Sequence, residues 1–103
     1  MIPVKFRLPS GGFKAAGYRA VRTPHFSLKF KDNGTGVNRI GVVVGKSVDK
    51  RAVRRNFLER QAKTALLKAP QDGKDLIITL FPKTNALTKK EFTNELKKIL
   101  NTI

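Results

Sequence analysis

From His25 to Lys31 apolar and polar residues alternate, which places Phe26, Leu28 and Phe30 on one face of a strand and Ser27 and Lys29 on the other. Asp32-Asn33-Gly34-Thr35-Gly36 follows as turn chemistry, with Asn-Gly able to take positive φ at low cost. Arg39 to Gly45 then returns with Ile40, Val42 and Val44 inward, so an antiparallel hairpin is expected. Leu58, Ala62, Ala65, Leu66 and Ala69 recur at helical spacing as a buried stripe. The helix carrying them should start near Asp49, a good N-cap residue, and be ended by Pro70 and Gly73. Asp75 to Phe81 is a nearly continuous apolar run, which predicts a strand covered on both faces and closed by Pro82. The last helix has clear start signals: Thr88 with Glu91 forms a capping box, and Leu87 with Phe92 a hydrophobic staple. Phe92, Leu96, Ile99, Leu100 and Ile103 supply its core stripe.

The first two dozen residues lack such patterning. Pro3, Pro9 and Ser10-Gly11-Gly12 break regular structure, only Phe13 to Ala16 hints at a short helix, and Pro24 leads into the first strand. The predicted order is α-β-β-α-β-α, a small α+β two-layer sandwich with helices on a mixed sheet. The 103 residues suit one domain, and 40% hydrophobic content suits a folded one. Without cysteine there is no disulfide framework. No apolar run approaches a membrane span and no secretory segment opens the chain, so a cytoplasmic protein without a membrane partner is expected.

Charge narrows the function. The chain carries +15, and sixteen of its 22 cations but only three of its 7 acids lie in residues 1–68. Between Val44 and Lys63, the cations Lys46, Lys50, Arg51, Arg54, Arg55, Arg60 and Lys63 meet only Asp49 and Glu59 as acids. Such a helix calls for an anionic partner, and RNA is the leading one. Asn56, Arg60 and Lys63 share a polar face at helical spacing, where Asn56 can hydrogen-bond phosphates or sugars. Phe13, Tyr18 and Phe57 are candidates to stack bases, whereas Phe26 and Phe30 belong to the core. Phe57 has two readings, stacking on RNA or filling space beside Val53. A basic structural ribosomal protein is the alternative for a chain of this size and charge.

A protein active site finds no support. His25 is the lone histidine and reads as a solvated surface group; with no cysteine, nucleophile–base triads and common zinc sites are excluded. The acids are scattered: Asp72 and Asp75 flank a turn, and Gly34 and Gly36 belong to a turn rather than a phosphate loop.

One register of residues adds a resemblance. Ile40-Gly41-Val42-Val43-Val44-Gly45-Lys46, then Val48, Lys50, Ala52-Val53 and Arg55-Asn56, closely resembles the protein subunit of bacterial ribonuclease P. Asp75 opening an apolar strand, Pro82 after it and a final amphipathic helix agree in order, so the resemblance covers roughly residues 25–103. It implies an accessory protein of an endoribonuclease whose catalytic centre is RNA with bound Mg2+, acting in tRNA processing. The partners implied are that catalytic RNA and precursor tRNA, whose 5′ leader is removed by hydrolysis of one phosphodiester bond. Arg55 and Asn56 match the first two signature positions, and Arg60 and Lys63 later basic ones. Ser27 and Lys29 match strand positions facing a leader-binding cleft, and Phe13 an aromatic of the first helix. A left-handed β-α-β crossover around the signature helix is also implied, against the generic right-handed preference. Two positions depart from the pattern: Phe57 stands where the second signature arginine is expected, and Glu59 at a usually basic position. The first helix is also about one turn short, with Gly17 arriving early. Phe57 is therefore expected to replace a charge contact with stacking.

Overall fold

The computed structural model describes residues 17–34, 36–45, 47–68 and 73–101. Phe13, the helix hinted at Phe13 to Ala16, Lys46, Ala69, Pro70, Asp72 and Ile103 lie outside the described residues. Strands β1 (Arg19–Arg22), β2 (Phe26–Asp32) and β3 (Arg39–Val43) lead to helix α1 (Ala52–Leu67). Strand β4 (Lys74–Leu80), a short 3-10 turn at Pro82–Ala86 and helix α2 (Lys89–Leu100) complete the order.

The four strands form one mixed sheet in the order β1-β2-β4-β3. The expected β2–β3 hairpin is not formed: β4 lies between them, antiparallel to β2 and parallel to β3. The apolar run explains this. Asp75 to Ile78 are all buried, and a strand apolar on both faces loses most water from an interior slot. Gly34 takes φ +75° as the turn chemistry requires, but the loop closes on β4 instead. The Asn33 amide N–H donates to the Gly73 carbonyl at 2.8 Å, and the Lys74 N–H donates to Asn38 Oδ1 at 2.9 Å. Because β3 and β4 run parallel, the chain between them must cross over, and α1 supplies that crossover.

Strand β1 lies in a stretch expected to be irregular. Its pattern is weak because only Val21 turns inward, and it exists by pairing with β2, Val21 opposite Leu28. Both helices pack on one face of the sheet, which gives the two layers. The core joins Phe26, Leu28, Ile40, Leu76, Ile78 and Leu80 of the strands to Leu58, Ala62 and Leu66 of α1 and Phe92, Leu96 and Ile99 of α2. Phe26 and Phe92 meet edge to face, 5.7 Å between centroids. Val42 and Val44 pack against this cluster as the alternation predicts, and Phe30 does so from its margin.

The start of α1 differs from expectation. Arg51, not Asp49, is the N-cap residue, and its side chain makes no cap hydrogen bond. Asp49 is occupied just before the helix, accepting from the Arg51 N–H at 2.8 Å and from its guanidinium at 2.9 and 3.1 Å. Val48 is buried in the core and fixes that approach. At α2 both halves of the capping box are present: the Glu91 N–H donates to Thr88 Oγ1 at 3.1 Å and the Thr88 N–H to Glu91 Oε1 at 2.9 Å. His25 is not a free surface histidine. It is half-buried, its Nδ1 lies 2.9 Å from the Glu95 carboxylate, and its carbonyl accepts from the Phe81 N–H and the Thr84 hydroxyl.

Candidate nucleic-acid interface

Strand register alone assigns the sheet face that points away from the helices. Its first row runs Arg22, Ser27, Thr79, Val43 across β1, β2, β4 and β3. The next is Ala20, Lys29, Ile77, Gly41, followed by Lys31, Asp75, Arg39. Ser27 and Lys29, two of the residues named from the sequence, therefore share this face. The third, Phe13, lies outside the described residues. Gly41 presents no side chain beside Ile77, and both are buried at the centre of the face.

Aromatic rings border the face together with cations. The Arg22 guanidinium stands 5.0 Å from the centroid of Phe81, and Lys31 Nζ 4.8 Å from that of Tyr18. Arg22, Lys31 and Phe81 were missed as site residues because β1 was not recognised and Phe81 read as the end of a core strand. Alternation did carry Lys31 onto the face of Lys29, so that much was available from spacing. One end of the face is pinned by Asp75, which is almost wholly buried. It accepts from Arg39 Nε at 2.8 Å, Arg39 Nη2 at 2.9 Å and Asn33 Nδ2 at 3.0 Å. The bond to Asp75 raises the Arg39 pKa, and burial, with the Asp75 charge second, pushes the Tyr18 phenol above its usual range.

The second basic surface is the exposed side of α1 and its approach. Lys50, Arg51, Asn56 and Arg60 are exposed, while Arg54, Arg55 and Lys63 are partly covered. Arg51 is held by Asp49, a hydrogen bond that raises its pKa, and Lys63 pairs with Glu59 at 2.9 Å one turn earlier. Arg55 does not extend into solvent. Its Nη1 donates to the carbonyls of Asp49 and Lys50, both at 2.9 Å, so it braces the loop that presents the other cations. Phe57 is 44% exposed, stands outside the core, and lies 5.1 Å under the Arg54 guanidinium. Val53, 83% exposed, is no core partner for it. Lys46 lies outside the described residues.

Among the described residues no group of three or more His, Asp or Glu side chains is arranged to hold a metal ion. No described helix is long and apolar enough to cross a membrane.

The fold has close counterparts. The RNase P protein of Staphylococcus aureus superposes with a TM-score of 0.83 over 94% of both chains, at 21% identity. That of Thermotoga maritima gives 0.79 over 94% of this chain and 96% of its own, also at 21%. Sequence relatives are nearer. The ribonuclease P protein component of Ralstonia pickettii is 40% identical over 69% of this chain and 54% of its own length. That of a Pseudanabaena species is 36% identical over 77% and 72%. The chain thus spans about half the length of the Ralstonia relative. The Ribonuclease P family model matches residues 14–103, nearly the whole chain, and on that match the chain belongs to the ribonuclease P protein family.

Proposed function

We propose that this chain is the protein component of a ribonuclease P, binding its catalytic RNA through α1 and the 5′ leader of precursor tRNA on the sheet face away from the helices. The observation that carries this reading is the presence of two basic surfaces of different character. The sheet face combines Arg22, Lys29 and Lys31 with the rings of Tyr18 and Phe81, and rings serve unpaired bases, whose faces are open to stacking. The α1 surface offers Lys50, Arg51, Arg54, Asn56, Arg60 and Lys63 with a single exposed ring, a set suited to the phosphates of a folded RNA.

Hydrolysis of the phosphodiester bond between leader and tRNA falls to the RNA and the Mg2+ it binds. Among the described residues no three carboxylates gather to hold that ion, and five of them are committed elsewhere: Asp75 to Arg39 and Asn33, Asp49 to Arg51, Glu59 to Lys63, Glu95 to His25 and Glu91 to the α2 cap. The protein contributes by holding the leader and screening phosphate charge, which lowers the Mg2+ needed.

Cleavage of a precursor tRNA by a bacterial catalytic RNA at low Mg2+, with and without the protein, tests this. Stimulation should grow with leader length, and Lys29→Ala should blunt that growth while leaving short-leader cleavage near the wild-type rate. No stimulation of several catalytic RNAs, despite salt-sensitive RNA binding, would instead favour a ribosomal role.

A further inference from the structure

We infer that the groove between α1 and α2, on one flank of Phe57, is a site for a single unpaired nucleobase of a bound RNA. This rests on the reading of α1 as an RNA-binding surface and adds what that surface recognises. Phe57 stands between two concavities. Arg54 lies over its ring on the flank shared with Arg51 and Val53. The other flank opens into a groove of about 240 Å³ that reaches α2. That is below the roughly 300–1,000 Å³ of sites for drug-sized ligands, and suits one planar ring entering edge first.

Three features give the groove its chemistry. Phe57 supplies an exposed ring for stacking. Gln61, one turn further along α1, has its Nε2 buried with no hydrogen-bond partner among the described residues. Buried donors without acceptors are rare, and this one lines the groove, where the keto oxygen of uracil or guanine would satisfy it. Arg60, Lys68 and Lys89 line the same groove, and among the described residues no carboxylate does, so the base's phosphate meets only cations. A protein side chain would use the ring but not the cations. A folded RNA that extrudes one base uses all three.

The test is binding of the full chain to RNA hairpins with one stem, carrying a single bulged uridine, a bulged abasic residue, or no bulge. The uridine bulge should bind roughly five- to 150-fold more tightly than the abasic one, the range one base–aromatic stack supplies. Phe57→Ala should erase that ratio. Its fold should persist, because Phe57 lies outside the core. Gln61→Met should keep a preference for a bulged base but remove any advantage of uridine over adenosine. Equal binding of uridine and abasic bulges, or a ratio that survives Phe57→Ala, would overturn the site while leaving the wider reading intact. Absence of salt-sensitive binding to any hairpin would overturn both.

Discussion

Several charged residues in this chain do work that their charge alone would not predict. Arg55 spends its guanidinium on the carbonyls of Asp49 and Lys50, and so shapes the approach to α1. Glu91, exposed and one of few acids, closes the α2 cap. The Thr88 backbone N–H, then its hydroxyl, holds the Glu91 carboxyl below the usual carboxylate range. A carboxyl whose pKa is depressed by folding adds stability above its unfolded pKa and loses it as pH falls through the folded one. Thermal melts of wild type and Glu91→Gln should therefore differ at neutral pH, begin to approach each other near the ordinary glutamate value of about 4.3, and converge only once pH falls below the depressed folded value. A gap that stays constant into acid would show that the cap does not depend on the charge.

At the scale of elements, the decisive one is β4. Its start is locked by Asp75, 2% exposed, against Arg39 at the head of β3 and Asn33 in the loop after β2. The pair thus ties three segments to one carboxylate and holds β4 in register with both neighbours. Removing one partner of a buried pair typically costs about 3–5 kcal/mol. Arg39→Ala should fall near the lower end, about 3 kcal/mol, because Asn33 still donates and Arg39 is itself 32% exposed. Replacing both residues with leucine should recover much of the loss. Urea unfolding of the wild type and these two variants checks this, and a loss under about 1 kcal/mol for Arg39→Ala would mean the pair behaves as a solvated one.

For the whole molecule the governing quantity is the charge of +15 and its concentration in residues 1–68. If about six phosphates of a single-stranded RNA are neutralised, log K should fall against log salt with a slope near −4. Titrations between about 50 and 200 mM salt measure it, and a slope near zero would remove phosphate contact as the source of affinity. That much was legible in the linear chain, because charge, helical periodicity and the capping box are local properties. Leu58, Ala62 and Leu66 are buried, and Thr88 and Glu91 cap α2, as their spacing requires. The stretch from Ile40 to Asn56 was enough to suggest the family. Strand order was not legible. Alternation assigns each strand's faces but says nothing about which strand lies beside it, so two strands joined by turn residues read as a hairpin until β4 is inserted between them. Likewise β1 has one inward apolar residue and owes its existence to a neighbour. The sequence by itself determined which residues of β2, β3, α1 and α2 face inward and where the positive charge is concentrated. Only the tertiary structure decided that Arg22, Lys29, Lys31 and Phe81 meet on one sheet face and that Gln61 Nε2, one turn from Phe57, finds no hydrogen-bond partner among the described residues. Those relations depend on pairing and packing between segments far apart in the chain, where no local period reaches.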